Sequence, residues 1–138
     1  MIVDTSAIIA VLRDEEDAAE FASALASASR PKVSAATWLE AAVVVDGSRD
    51  PVAGRRYDDL VQEIGLEIIE VTAQQAVIAR AAYRDYGKGS GHPAQLNLGD
   101  CFSYALARVT GEPLLFKGED FDRTDVRDAR RAGGAEDA

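Results

Sequence analysis

Short extended runs alternate along this chain with longer stretches of helical periodicity, and that alternation limits the fold more than any other feature. The runs lie at residues 1–3, 31–33, 66–71 and 114–116. A connection containing one or two helices returns the chain to the same end of a sheet, so successive strands pair in parallel, and the helices cover both faces. The helical stretches are equally legible. Residues 7–12 are almost wholly apolar, and residues 15–28 carry a stripe of Ala18, Phe21, Ala22 and Leu25. Ser34 opens an apolar helix through Val45, and Pro51 stands where a first helical turn tolerates proline. Gly65 closes the helix that follows, and residues 73–86 form an Ala-rich helix. Asn97 caps a helix carrying Asp100 to Val109, and Val126 opens a last short strand.

The 138 residues suit one domain, 1–138, with a frayed tail over 130–138. Fifteen basic against twenty-four acidic residues give a net charge of −9, which argues against attachment to nucleic acid or membrane through bulk positive charge. An acidic site that reaches phosphates through a bound cation stays open. One Cys and one His exclude an internal disulfide, a Cys-rich zinc cluster and a His-rich metal site. No apolar stretch reaches eighteen residues and the first residues lack a basic leader, so a cytoplasmic, membrane-free chain is expected.

The acidic residues fall into two populations. Most keep polar company, as in Asp14-Glu15-Glu16-Asp17. Asp4, Glu40 and Asp100 do not: each is the only charged residue within residues 1–12, 34–45 and 93–107, respectively. A carboxylate placed in a buried element costs several kcal/mol unless something pairs with it, and none of the three stretches holds a Lys or Arg. Three such groups drawn together repel unless a divalent cation holds them. Asp4 ends the first strand, at the edge where open parallel sheets place their crevice, and Asp120 follows the strand at 114–116 in the same way. Hard oxygen donors of this kind suit Mg²⁺ or Mn²⁺.

Each acid also has a structural reading. Asp4 can cap the helix behind it, Glu40 can close a capping box with Thr37, and Asp100 suits the dipole of a first turn. Asp120 sits in an acidic loop with Glu119, Asp122 and Asp125. Lys88, His92 and Lys117 could bring positive charge to phosphates, although solvated charges are the default. Cys101 reads as a small apolar group, and Trp38 and Tyr104 as core or interface. The glycines of residues 87–91 match no phosphate-binding loop.

Four segments together resemble a known family. MIVDTSAIIAVL, with Asp4 after the first strand and Thr5-Ser6 behind it, is similar to the opening block of PIN-domain ribonucleases. SAATWLEAAVVV resembles the second block, LNLGDCFSYALA the third and PLLFKGEDFDRTDV the fourth, in the family's order across nearly the whole chain. The nearest likeness is to the VapC toxins of bacterial toxin–antitoxin pairs. The resemblance implies a three-layer α/β/α sandwich around a mainly parallel sheet of about five strands, and Mg²⁺- or Mn²⁺-dependent endonucleolytic cleavage of RNA. It places Asp4, Glu40 and Asp100 in the family's acidic positions, and Asp120 in the fourth, with Asp122 the alternative register. Thr5 and Ser6 match supporting hydroxyl positions. A homodimer and a small VapB-like antitoxin are implied as partners.

In such a site a cation lowers the pKa of a bound water that attacks phosphorus in line, leaving 5′-phosphate and 3′-hydroxyl ends. Two competing readings are a PIN-like interaction module without catalysis and a Mg²⁺-dependent phosphotransfer domain. The second lacks its pattern, because Ser6 stands where an Asp-nucleophile phosphatase carries its second Asp.

Overall fold

The computed structural model describes residues 1–131, and residues 132–138, most of the expected tail, lie outside that range. The chain runs β1 (Ile2–Val3), α1 (Thr5–Leu12), α2 (Ala18–Ser27), β2 (Lys32–Ser34), α3 (Ala35–Gly47), α4 (Pro51–Glu63), β3 (Glu67–Ile69), α5 (Ala73–Tyr86), α6 (Leu98–Thr110) and β4 (Leu114–Leu115). A 3₁₀ turn at Phe121–Arg123 follows.

The four strands form one parallel sheet in the order β3-β2-β1-β4. Expectation put the count at about five. The last segment pairs only once, where Asp128 bridges Leu114 and the Leu114 N–H donates to the Arg127 carbonyl at 2.8 Å. The chain turns helical again at Ala129, so this pairing never lengthens into the strand expected from Val126, and Arg130 and Arg131 lie in that helical turn. β3 is likewise shorter than the apolar run at 66–71. It sits at the sheet edge and pairs only along the three residues that β2 offers.

Alternation along the strands explains the layers. Ile2 and Leu114 face a core with Leu96, Leu106, Phe116 and Phe121 under α5 and α6. Val3, Val33 and Leu115 face the other way, into a core with Ile8, Phe21, Leu25 and Tyr57 from α1, α2 and α4. Both faces of the two-residue strands β1 and β4 are therefore dry, as buried parallel strands require, whereas the edge strand β3 leaves Ile68 exposed. Tyr57 carries its hydroxyl into the second core and donates it to the Trp38 carbonyl at 2.8 Å. Among the described residues no helix is long and apolar enough to cross a membrane.

The topology also places the site. From β1 the chain steps outward to β2 and then β3, and only afterwards crosses back to lay β4 on the other side of β1. The connections leaving β1 and β4 thus diverge to opposite sides, and a crevice opens at the carboxyl ends of the two strands.

Candidate active site

Asp4 stands at that crevice, one residue past β1, and its N–H donates to the Leu115 carbonyl at 3.0 Å. It is also the N-cap of α1: its Oδ2 accepts from the Ser6 N–H at 3.1 Å and from the Ser6 hydroxyl at 2.7 Å. Its Oδ1 accepts from the Ser103 hydroxyl at 2.6 Å. With only 3% of its surface exposed, the carboxylate is held by three donors, and among the described residues no Lys or Arg pairs with it.

Glu40 arrives from α3. Its Oε1 accepts from the Thr5 hydroxyl at 2.6 Å. The capping box with Thr37, the alternative reading of Glu40, does not form, and the expected start at Ser34 holds. Ser34 is the N-cap of α3, and Thr37 turns inward, its Oγ1 lying 3.2 Å from the Ser103 Oγ. The capping box lies on α6 instead. The Asp100 N–H donates to the Asn97 side chain, and the Asn97 N–H donates to Asp100 Oδ2, both at 2.9 Å. Gly99 lets α6 approach α3, since a Cβ there would lie 2.0 Å from Glu40 Oε2.

These three acids line one cleft of about 490 Å³ together with Thr5, Ser6, Asn97, Arg13 and Lys117. Burial pushes the Asp100 carboxyl up to about 7, and the negative charges of Asp4, Asp120 and Glu40 push it the same way against the Asn97 hydrogen bond. The chain has gathered like charges around Asp100. The two registers for the fourth acid part company here. Asp120 acts on Asp100 through its charge, whereas Asp122 pairs loosely with Arg131 at 3.9 Å.

A family profile described as "PIN domain" matches residues 1–127. Ribonuclease VapC28 of Mycobacterium tuberculosis is 58% identical over 129 residues, covering 94% of this chain and 97% of that protein. Ribonuclease VapC42 of the same species is 49% identical, with 94% and 98% covered. This chain belongs to the VapC ribonucleases of the PIN-domain family. Solved structures agree on the fold. The M. tuberculosis toxin VapC20, described as cleaving the sarcin–ricin loop, superposes with a TM-score of 0.72 at 17% identity, with 91% of this chain and 95% of that one covered. A toxin–antitoxin complex from Klebsiella pneumoniae gives 0.66 at 20% identity, with 87% and 88% covered.

The cleft's chemistry fits the divalent ion that a VapC resemblance implies. Its acidic donors are carboxylates flanked by hydroxyls, with no thiol or imidazole in the lining, which is the set that Mg²⁺ and Mn²⁺ prefer. Among the described residues no three acidic, His or Cys side chains stand close enough together to hold a metal ion as they are placed.

Residues outside the acidic positions divide between the expected and the unexpected. Lys117 does reach the cleft, but its ammonium is taken by Glu15 at 2.6 Å and Asp17 at 3.0 Å, two acids that looked merely solvated. Those bonds, with a positive φ at Asp14, delay α2 to Ala18 instead of residue 15. His92 lies outside the lining. Its Nδ1 accepts from the Ala94 N–H at 3.0 Å and its ring meets Tyr86 edge-on, so it closes a loop. Cys101 is buried, its thiol pushed up to about 11 by burial and the neighbouring Asp100, consistent with a packing role. Ser103, Thr37 and Gly99 escaped sequence reasoning. Their signal was positional: Thr37 lies three residues before Glu40 and Ser103 three after Asp100, on the same helix faces.

Proposed function

We propose that this chain is the toxin of a toxin–antitoxin pair, a cytoplasmic endoribonuclease that uses Mg²⁺ or Mn²⁺ and acts as a single domain over residues 1–138. The observation that carries the reading is the convergence of Asp4, Glu40 and Asp100 on one cleft at the sheet's switch point, where burial and then the neighbouring charges raise the proton affinity of Asp100. Asp4 and Asp100 are the principal ligands, with Glu40 and Asp120 completing the acidic set. An ion bound there supplies a water of lowered pKa and positive charge against the phosphate. Thr5 and Ser6 orient Glu40 and Asp4 through their hydroxyls and do not serve as ligands themselves. The partners are an RNA substrate, a second copy of the chain in a homodimer, and a VapB-like antitoxin. An antitoxin Arg suits the cleft, since one guanidinium satisfies two carboxylates.

Sequencing of RNA 5′ ends after expression, with an Asp100→Asn control, tests the activity. New 5′-phosphate ends absent from the control support it, and identical end profiles overturn it. Co-expression with the product of the adjacent gene, followed by light scattering, tests the partners.

Two substitutions probe the architecture of the set. Asp120→Asn is expected to cut the cleavage rate strongly and Asp122→Asn to leave it within about twofold, because only Asp120 acts on Asp100. The reverse ranking assigns the fourth position to Asp122. Gly99→Ala is expected to melt at an unchanged or slightly higher temperature, as Ala is favoured over Gly in a helix by about 1 kcal/mol. The added methyl displaces the Glu40 carboxylate, a flexible end that moves at small cost. A misplacement of about 1 Å can lower turnover on the order of 100-fold, so cleavage falls while stability holds.

A further inference from the structure

We infer that Ser103, backed by Thr37, is a positioning residue that aims the one open lone pair of Asp4 into the cleft, so that two buried hydroxyls set the affinity of the site for its cation. The inference rests on the functional reading above and adds residues that no acidic motif contains.

The argument is an accounting of Asp4. A carboxylate offers about four lone-pair sites. Ser6 takes two on Oδ2, through its N–H and its hydroxyl, and Ser103 takes one on Oδ1. Among the described residues no other donor reaches Asp4, so the site left for a cation is on Oδ1, the oxygen that Ser103 holds. The Ser6 bonds are what any N-cap makes, and they come from the residue two places along the chain. The Ser103 bond is different in kind. It crosses 99 positions of sequence, from α6 to the end of β1, and at 2.6 Å it is short, as hydroxyl donors to an ionised carboxylate are.

Ser103 has a single proton and spends it on Asp4. Thr37, 3.2 Å away on α3, is therefore the donor to Ser103. Thr37 is 1% exposed and Ser103 0%, so water competes with neither bond. The pair links the three elements that carry the acids. Thr37 sits one turn before Glu40 and Ser103 one turn after Asp100, and the Thr37 hydroxyl reaches Asp4 only through that of Ser103. Ser6 adds a tie to the fourth strand, its Oγ accepting the Lys117 N–H at 2.9 Å. A cation meeting Asp4 thus meets a carboxylate with one orientation, which is how partners beyond the ligands themselves raise metal affinity.

The experiment uses the full chain, with Mn²⁺ as the probe. Isothermal titration of RNA-free protein measures the Mn²⁺ Kd for wild type, Ser103→Ala, Thr37→Val, Thr37→Ser and the Ser103→Ala/Thr37→Val double variant, beside melting curves and the Mn²⁺ dependence of RNA cleavage. Ser103→Ala is expected to raise the Kd by about 10–100-fold, and excess Mn²⁺ to restore much of the rate with KM for RNA unchanged. Thr37→Val gives a smaller rise, Thr37→Ser restores wild-type affinity, and the double variant matches Ser103→Ala because Thr37 acts only through Ser103. If Ser103→Ala fails to fold, the contrast between Thr37→Val and Thr37→Ser decides. Wild-type Mn²⁺ affinity in the variants, or a Thr37→Ser defect equal to that of Thr37→Val, overturns the inference and leaves plain packing. A wild-type chain that binds no Mn²⁺ overturns the functional reading itself, and the inference with it.

Discussion

Asp100→Asn loses RNA cleavage at least about a thousandfold, roughly 4 kcal/mol of transition-state stabilisation at 1.4 kcal/mol per factor of ten, while the chain stays folded. Asn keeps the volume and can still accept the Asn97 N–H of the capping box, so α6 begins as before. What disappears is the charge. Because burial and the neighbouring Asp4, Asp120 and Glu40 raise Asp100 to about 7, its ionised form opposes folding of the metal-free chain. Between its unfolded value of 3.8 and about 7 the native state keeps a proton that the unfolded chain has released. This group's contribution to stability therefore falls as pH rises across that window and levels off above it. The neutral variant is expected to exceed wild type in melting temperature by a clearly wider margin at pH 8 than at pH 5, both in chelator, because only part of the window is crossed by pH 5. Melting curves at the two pH values, run beside an RNA cleavage assay, check both halves. An equal gap at both pH values would show that Asp100 is not strained by its neighbours.

Mn²⁺ at one hundred times its Kd stabilises the native chain by about 2.7 kcal/mol, a rise of roughly 8–12 °C in melting temperature for a domain of this size. The ion binds only where the fold brings the acids together, and it removes the repulsion recorded at Asp100. The gain is therefore larger at pH 8 than at pH 5, where protons compete for the same carboxylates. Asp4→Asn and Asp100→Asn each lose most of it. Scanning calorimetry with saturating Mn²⁺ and with chelator makes the comparison, and equal midpoints for wild type would remove the shared metal site from the account.

The sequence alone was enough to determine the class of fold and the three central acids. Alternation of very short apolar runs with helical stretches permits little besides a parallel sheet covered on both faces, and the strands Ile2–Val3, Lys32–Ser34, Glu67–Ile69 and Leu114–Leu115 lie in those runs. A lone carboxylate in an apolar stretch is costly wherever the chain goes, so Asp4, Glu40 and Asp100 were conspicuous before any contact was known. Two structural roles were legible too, Asp4 as the cap of α1 and Asp100 in the first turn of α6, whereas the capping box that Asp100 closes with Asn97 was not read from sequence. Tertiary structure decided everything that depends on which elements meet. Glu15 and Asp17 look solvated in sequence, yet Lys117, a hundred residues on, is folded against them. The length of β3 follows from its partner, and the last segment turned helical after a single bridge. Thr37 and Ser103 carry no sign of function beyond their place one turn from an acid, because a hydroxyl in an apolar helix is cheap to bury once it finds a partner. Only the meeting of α3, α6 and β1 supplies those partners, the Asp4 carboxylate for Ser103 and Ser103 for Thr37.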